Sequence, residues 1–221
     1  MNRDVALRRG AGAAWLASAL VYAVTELAAA SRFRPTYSFS HNFISDLGVS
    51  DCGPGPHGWN ACSPLYGLMN AGFIAEGLLF IVAVALMFRL LSGGSRYVFT
   101  VLGVTHGIGL ALAGIFHGGG TAFANGLGVF HVIGACMAIF GGNLAILISP
   151  APRALSAPRF IGLLSRVLPV VGLLAVIMLA VTISHHRIVL LDYGAWERLS
   201  VYTIMTWEAV MGGWLLVSRR R

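Results

Sequence analysis

Histidines near the ends of the apolar segments are the residues best suited to metal chemistry. His117 and His131 flank a short connection between two such segments, a spacing that permits their side chains to converge without requiring it. A third ligand would come from one of three other histidines: His41, His185 or His186. A catalytic zinc ion needs three protein ligands and an open position for water, and neutral imidazoles suit it. One hypothesis is therefore a zinc-dependent hydrolase or transferase that acts on lipids.

The segment that follows the first apolar run, residues 40–48, contains the densest group of reactive side chains. The candidate catalytic groups are Asp46, Ser45 and His41, together with Glu208 from the last apolar segment. A serine, a histidine and an aspartate that are close in sequence do not by themselves make a triad, because triad geometry is assembled from separate elements. The alternative interpretation is that Ser45 and Asp46 cap a short interfacial helix and Gly48 permits a turn.

Five polar side chains form a predicted intramembrane cluster: Glu26, Asn70, Glu76, His106 and Glu208. An ionisable group at the bilayer centre costs about 2.5–3.5 kcal/mol, so these groups need partners. Glu76, His106 and Glu208 fall near the middle of their segments. They could relay protons in a proton-coupled carrier, because histidine changes charge near physiological pH. Alternatively, the three side chains pair with one another and hold the helices in register.

Helical periodicity gives the third apolar segment a histidine face beside a stripe of small residues. His106 and His117 are eleven positions apart and therefore point the same way on a helix. The stripe contains Gly103, Gly107, Gly114 and Gly118. Small residues let another backbone approach closely, so we expect the histidine face to be buried against protein.

The elements that carry these residues are predicted to be membrane helices. The chain is 57% hydrophobic and 10% charged, with a mean hydropathy of +0.79, outside the range of a soluble globular domain. A bilayer core about 30 Å thick requires about 20 apolar residues in a helix. The segments that qualify are 11–30, 65–90, 97–117, 127–148, 160–184 and 199–217. We predict an all-α, polytopic membrane protein, a six-transmembrane-helix bundle, because backbone groups in lipid must be hydrogen-bonded within the segment.

The distribution of arginine predicts the orientation. All fifteen basic residues are arginines, and eleven of them flank one set of alternating segment ends. The other set of ends has Arg32, Arg34, Arg187 and Arg198. The positive-inside rule then places both termini in the cytoplasm of a multi-pass protein of the cell membrane. Membrane lipids are the expected partners of the arginines, and no nucleic-acid partner is expected, since no basic stretch is soluble or interleaved with aromatic residues.

An alternative interpretation concerns the N-terminus. Arg8 and Arg9, the apolar run and the small residues at 28–30 are also typical of a secretory signal peptide with its cleavage site. The run is longer than a usual signal core and contains Glu26, which favours a retained first helix.

The chain is otherwise predicted to be a single membrane domain, residues 1–221, with one long extracytoplasmic loop at 31–64. Loops of this length are uncommon unless they are functional or stapled. Cys52 and Cys62 lie in this loop, with the turn-forming residues 53–56 between them. Because an oxidising exterior favours disulfides, we expect these two cysteines to be bonded. Cys136 is expected to be a packing residue of the fourth helix.

These observations predict an outward-facing polar pocket. We expect the first, second, third, fourth and sixth predicted helices to line it. The fifth predicted helix carries nothing ionisable between Arg166 and His185, so we expect it to be structural or to face lipid.

Two stretches of the chain resemble a known family. Residues 43–48, Phe-Ile-Ser-Asp-Leu-Gly, together with residues 64–72 at the start of the second helix, resemble the prokaryotic membrane family catalogued as domain of unknown function 998. The same stretches are more faintly similar to the eukaryotic family of autophagy modulators and GPI-lipid-remodelling proteins, from which Leu47 departs because threonine is expected there. The first resemblance implies no reaction, and the second implies lipid handling or membrane organisation. Ser45, Asp46 and Asn70 are the matching positions.

Of the possible functions, a non-catalytic, lipid-associated or organising membrane protein requires the fewest assumptions. The stapled loop would then be its recognition surface, and a membrane-protein partner is possible. The zinc-dependent lipid enzyme and the proton-coupled carrier are the alternatives.

Overall fold

A computed structural model of the chain describes residues 3–54 and 60–218. Its α-helices are α1 (Arg3–Arg32), α2 (Tyr66–Phe88), α3 (Ser95–Ile115), α4 (Gly120–Ala124), α5 (Gly128–Ile148), α6 (Ala151–Ala154), α7 (Arg159–His185) and α8 (Tyr193–Val217). A 3-10 turn covers Ser45–Gly48, and β1 (Gly53–Pro54) pairs antiparallel with β2 (Asn60–Ala61). The predicted turn at Gly55 and Pro56 and the arginines Arg219 to Arg221 lie outside the described residues.

Each predicted segment corresponds to one long helix: α1, α2, α3, α5, α7 and α8. The largest differences are at N-terminal ends, where α1 begins at Arg3 rather than at residue 11, and α8 at Tyr193 rather than at residue 199. Polar residues interrupt a hydrophobic pattern without interrupting the backbone hydrogen bonds of a helix. At α8 the signal that decides the start is a cap, because the Asp192 side chain accepts a hydrogen bond from the Tyr193 N–H at 2.8 Å.

Five stretches are long and apolar enough to cross a membrane: α1, α2, α3, residues Gly128–Ala154 (α5 with α6), and α7. α8 is not among them, although it is 25 residues long. It carries Glu197, Arg198 and Glu208, which lower its hydropathy. The described chain is therefore an all-α membrane protein with five candidate spans, and the sixth span and the orientation of the termini stay predictions.

The long helices form a closed ring in chain order. α1 packs on α2, α2 on α3, α3 on α5, α5 on α7 and α7 on α8, and the ring closes where α8 packs on α1. Aromatic side chains fill its core near that closure, where the ring centroids of Trp15 and Trp207 lie 5.0 Å apart and those of Trp15 and Phe80 lie 6.2 Å apart. The first and last helices are thus neighbours in space.

Glycines set the distance between three consecutive helices of the ring. A Cβ added to Gly107 of α3 would lie 2.4 Å from the main-chain oxygen of Gly77 in α2. On the other side of α3, a Cβ added to Gly109 would lie 2.4 Å from the main-chain nitrogen of Ala138 in α5. Gly107 belongs to the stripe that the sequence singles out, so the predicted close approach at this stripe is confirmed.

The loop after α1 is stapled as expected. Cys52 and Cys62 are disulfide-bonded. The main chains of Arg34 and Cys62 exchange two hydrogen bonds, of 2.9 and 3.1 Å, which tie the end of the loop back to its beginning. The loop is therefore a folded layer at one end of the helix ring.

We expect Gly107→Ala to destabilise the protein, because the new methyl group has backbone rather than a movable side chain in its way. Overpacking of this kind costs about 1–3 kcal/mol. The measurement is thermal unfolding of the detergent-solubilised full chain.

The matched control is Gly162→Ala in α7, where an added Cβ meets nothing within 4 Å. This variant should be as stable as the parent or more stable, by up to about 1 kcal/mol of helix propensity. Equal melting temperatures for Gly107→Ala and the parent would contradict the close α2–α3 contact.

Candidate functional site

A buried arginine on α8 holds the loop in place. Arg198 is 6% exposed, and its Nη1 donates to the main-chain oxygens of Phe39 at 2.7 Å and Asn42 at 2.8 Å. Its Nη2 donates to the hydroxyl of Tyr37 and lies 3.2 Å from Oε1 of Glu26 on α1. One side chain therefore connects α8, α1 and the loop.

The sequence places Arg198 among the arginines that flank segment ends, and the structure corrects this. Arg198 is inside the protein because Glu26 neutralises its charge. The Tyr202 hydroxyl also lies 2.9 Å from each carboxylate oxygen of Glu26. Glu26 thus belongs to this ion pair, whereas the sequence grouped it with Glu76, His106 and Glu208. The hydroxyl of Tyr37, whose pKa is raised by burial, donates to the main-chain oxygen of Phe43 at 2.8 Å.

The Ile-Ser-Asp-Leu-Gly stretch is shaped by two carboxylates. Oδ2 of Asp46 accepts hydrogen bonds from the Phe43 N–H at 3.0 Å and from the Asn42 side chain at 3.3 Å. Oε2 of Glu197, on α8, accepts a hydrogen bond from the Ile44 N–H. The N-cap residue of the 3-10 turn is Ile44, and no side chain caps the turn, so the capping role considered for Ser45 and Asp46 is not found. The two carboxylates instead accept from main-chain donors just before the turn.

Asn70 links this turn to α2. Its Nδ2 donates to the main-chain oxygen of Gly48 at 2.9 Å. A Cβ added to Gly48 would lie 2.3 Å from Oδ1 of Asn70, so a larger residue at position 48 would displace the Asn70 side chain. The two stretches that carry the family resemblance are therefore in direct contact, although more than twenty residues separate Gly48 from Asn70.

A cavity of about 450 Å³ begins at this turn and extends between α5 and α7. Its polar end is formed by Ser45, Asp46, His131, Ser184 and Glu197. Its walls include Val132, Ala135 and Cys136 from α5 and Val176, Leu179, Ala180 and Ile183 from α7. The space is thus apolar along two helices and polar at the end that meets the loop.

The cavity corrects three expectations from the sequence. We expect the fifth predicted helix, α7, to be structural or to face lipid, yet it forms one wall of the cavity. Its apolar composition is compatible with both roles, because a cavity wall of this kind also consists of apolar residues. The lining contains no residue of α1, α2 or α3, the first three helices that we expect from the sequence to contribute. Cys136, expected to be a packing residue, is exposed and lines the same cavity.

His131 faces the cavity as a hydrogen-bond acceptor. Its Nδ1 lies 2.9 Å from the main-chain oxygen of Phe116 and 3.2 Å from that of Ala113. A carbonyl oxygen only accepts, so Nδ1 carries the proton, and the neutral ring has its lone pair on Nε2. The polar end of the cavity is accordingly rich in acceptors: two carboxylates and one imidazole nitrogen.

His117, another candidate zinc ligand, is hydrogen-bonded to the loop. Nε2 of His117 lies 3.1 Å from the hydroxyl of Ser50, and the adjacent Asp51 accepts a hydrogen bond from the Thr121 N–H at 3.3 Å. Hydrogen bonding to Thr121 lowers the pKa of the Asp51 carboxyl. These contacts anchor the loop to the connection after α3.

His41 and His185 have other surroundings. Nδ1 of His41 lies 3.0 Å from Oδ2 of Asp192, with 42% of the His41 side chain exposed. His185 is the exposed last residue of α7. In the described part of the chain, His117, His131 and His185 do not form a group of three side chains whose ligand atoms could hold one metal ion.

Three of the five residues expected to cluster within the membrane do converge. Glu76 of α2, His106 of α3 and Glu208 of α8 have ligand atoms that all lie within 4.8 Å of one another. Nε2 of His106 is 3.1 Å from Oε1 of Glu76. Asn70 is outside this cluster because it binds Gly48. Two residues that line the cavity, Glu197 and Cys136, are not predicted site residues. The sequence does contain a signal for Glu197, because it lies eleven positions before Glu208 and the two side chains therefore share one face of a helix.

Residues 15–214 match the model of a family described as a protein of unknown function, DUF998. The chain belongs to this family. The match covers all of the long helices of this DUF998 protein except the first residues of α1 and the last of α8. No curated protein and no solved structure matches the chain, so the fainter similarity to the eukaryotic lipid-remodelling family stays a prediction.

We expect Arg198→Leu to destabilise the protein strongly and to release the loop. Removing one member of a buried ion pair leaves the other charge uncompensated, at a cost of about 3–5 kcal/mol. The measurements are thermal unfolding in detergent and the rate of proteolysis within residues 33–50.

Arg187→Leu is the matched control, because Arg187 is exposed in the connection between α7 and α8. Its unfolding and proteolysis should resemble those of the parent. A loop that stays protected in Arg198→Leu would show that Arg198 does not hold it.

Proposed function

We propose that this DUF998 protein binds a membrane lipid in the cavity between α5 and α7. The proposal rests on the distribution of polar and apolar residues that line this cavity. Apolar side chains from two candidate membrane-spanning helices form its walls, and polar side chains form its end at the Ser45–Gly48 turn. An acyl chain between the helices and a headgroup beside the turn would match this arrangement.

The size of the cavity fits a ligand. Sites for small molecules occupy about 300–1,000 Å³ and are mostly apolar with a few convergent polar groups. The cavity has about 450 Å³ and five polar residues at one end. An apolar space left empty would forfeit contacts on both helices, and in a bilayer the hydrocarbon chains of lipids are the available occupants.

The polar end favours one class of headgroup. Asp46, Glu197 and Nε2 of His131 are acceptors, and the positive charge of the nearby Arg198 is neutralised by Glu26. Such an end suits a headgroup that donates hydrogen bonds, with an amine or several hydroxyl groups. A headgroup whose only polar group is an anionic phosphate would find acceptors rather than donors there.

The proposal includes an orientation. The excess of arginine on one set of helix ends supports cytoplasmic termini in a multi-pass protein of the cell membrane, and the Cys52–Cys62 bond supports an extracytoplasmic loop. The cavity would then open in the outer leaflet, and the loop beside it would be available to lipids or to a membrane-protein partner.

A zinc-dependent lipid enzyme has less support. Of the candidate ligands His117, His131 and His185, only His131 lines the cavity. We therefore propose lipid binding without a metal at this position.

Filling the cavity should remove the bound lipid. We expect Ala180→Trp to carry at least about tenfold less co-purified lipid than the parent, because the indole would occupy the space between α5 and α7. The measurement is native mass spectrometry of the full chain released from nanodiscs, with the released lipids identified after extraction.

The control is Leu174→Trp on the same helix, since Leu174 is 57% exposed and does not line the cavity. It should keep the lipid. The proposal would be wrong if Ala180→Trp, folded by its melting temperature, retained the same lipid as the parent, or if the parent retained none.

A further inference from the structure

We propose that Glu76, His106 and Glu208 bind a divalent transition-metal ion, with Zn²⁺ the best fit, in the core of the helix ring. The site is separate from the lipid cavity and does not depend on it. It is the one group in the described chain in which three histidine, cysteine or acidic side chains bring their ligand atoms within 4.8 Å of one another.

The three ligands come from three different helices and are sealed from solvent. Glu76 is 1% exposed, His106 3% and Glu208 0%. Ligands about 2.0–2.2 Å from a zinc ion lie within about 4 Å of one another, so small side-chain rotations would bring these atoms to a common centre. Because α2, α3 and α8 belong to one closed ring, the geometry is set before any metal arrives.

The carboxylates have few other partners: His106 lies against Glu76, and the Ser18 hydroxyl lies close to Glu208. Oε2 of Glu76 and both Oε1 and Oε2 of Glu208 are buried without a hydrogen bond. Two carboxylates in this position repel each other and need positive charge. A divalent cation with a neutral imidazole would make the site electrically neutral, which the interior of a membrane protein favours.

His106 is held as metal-bound histidines are. Its Nδ1 lies 2.7 Å from the main-chain oxygen of Ala138, and a carbonyl can only accept, so Nδ1 carries the proton. That contact fixes the ring and directs Nε2 toward Glu76. A histidine ligand ordinarily donates its other N–H to a carbonyl in this way.

There is room for one further ligand. A small cavity of about 20 Å³ touches both Glu76 and His106. A buried water molecule needs about 10–15 Å³ by this measure and polar partners. The cavity is lined mostly by apolar residues and does not touch Glu208, so a water here would be held by the metal itself. Two carboxylates, one imidazole and a water would complete the four-coordinate shell that zinc prefers.

The competing occupant is a proton. One carboxyl could be protonated and share its hydrogen with the other, with His106 charged, and no metal would then bind. The experiment distinguishes the two occupants, because a proton site takes up no Zn²⁺.

The test uses the full chain, purified in detergent, treated with a chelator and then titrated separately with Zn²⁺, Mn²⁺ and Mg²⁺. We expect about one Zn²⁺ per chain by elemental analysis, and a higher melting temperature with Zn²⁺. Glu208→Gln and Glu76→Gln should each weaken Zn²⁺ binding by at least about 100-fold, since even loss of a group that only orients a ligand costs 10–100-fold.

His117→Gln is the control, because it removes a histidine that the sequence offers as a zinc ligand outside this cluster. It should bind Zn²⁺ like the parent. Absence of Zn²⁺ uptake by the parent, equal binding by the folded glutamine variants, or loss of zinc in His117→Gln alone would each overturn the proposal.

If neither glutamine variant folds, the visible absorption spectrum of Co²⁺ bound to the parent tests the proposal. Visible absorption bands of a four-coordinate site with nitrogen and oxygen ligands would support the assignment. A spectrum equal to that of Co²⁺ in buffer would overturn it.

Discussion

The rest of this structure depends on one constraint: a buried charge must be neutralised by an opposite charge beside it. Arg198 and Glu26 are both removed from water, and each is tolerable there only because the other is present. Since one is on α8 and the other on α1, their pairing helps to close the helix ring. Arg198 also binds the main chain of the loop, so the same interaction decides where the Ser45–Gly48 turn lies. The position of the cavity follows from that of the turn, which forms its polar end.

The family motif is explained by contacts between its own parts. Gly48 leaves space that the Asn70 amide fills, and Asn70 in turn binds the Gly48 carbonyl, so a change in either residue disturbs both stretches. Asp46 has a structural role as acceptor for the Phe43 N–H and the Asn42 side chain, and it also lines the cavity. A single short motif therefore shapes the turn and supplies the polar end of the proposed lipid site. The buried cluster of Glu76, His106 and Glu208 lies elsewhere in the ring, where close contacts between glycines of α2 and α3 set the distance between these helices.

Most of the helices could be predicted from sequence, and the sites only in part. Long apolar segments, the disulfide pair and the close approach at Gly107 each depend on local residue types, and the structure agrees with them. The convergence of Glu76, His106 and Glu208 was one of the open alternatives, because mid-membrane polar groups need partners but the sequence does not say which. The role of α7 was missed for a physical reason: an apolar cavity wall and a lipid-facing surface have the same composition. Arg198 was misplaced because counting positions along a segment does not reveal an acid on another helix.

The sequence by itself determined that this chain enters a membrane, which residues form its long helices, and which polar side chains would be costly without partners. These properties follow from the free energy of transferring side chains and peptide groups into hydrocarbon, which depends on local composition. Only the tertiary structure decided that Glu26 pairs with Arg198, that His131 rather than His117 faces the cavity, and that α5 and α7 enclose a space. Those outcomes depend on the order of helices around the ring and on close contacts between residues distant in sequence, and no local property of the chain encodes them.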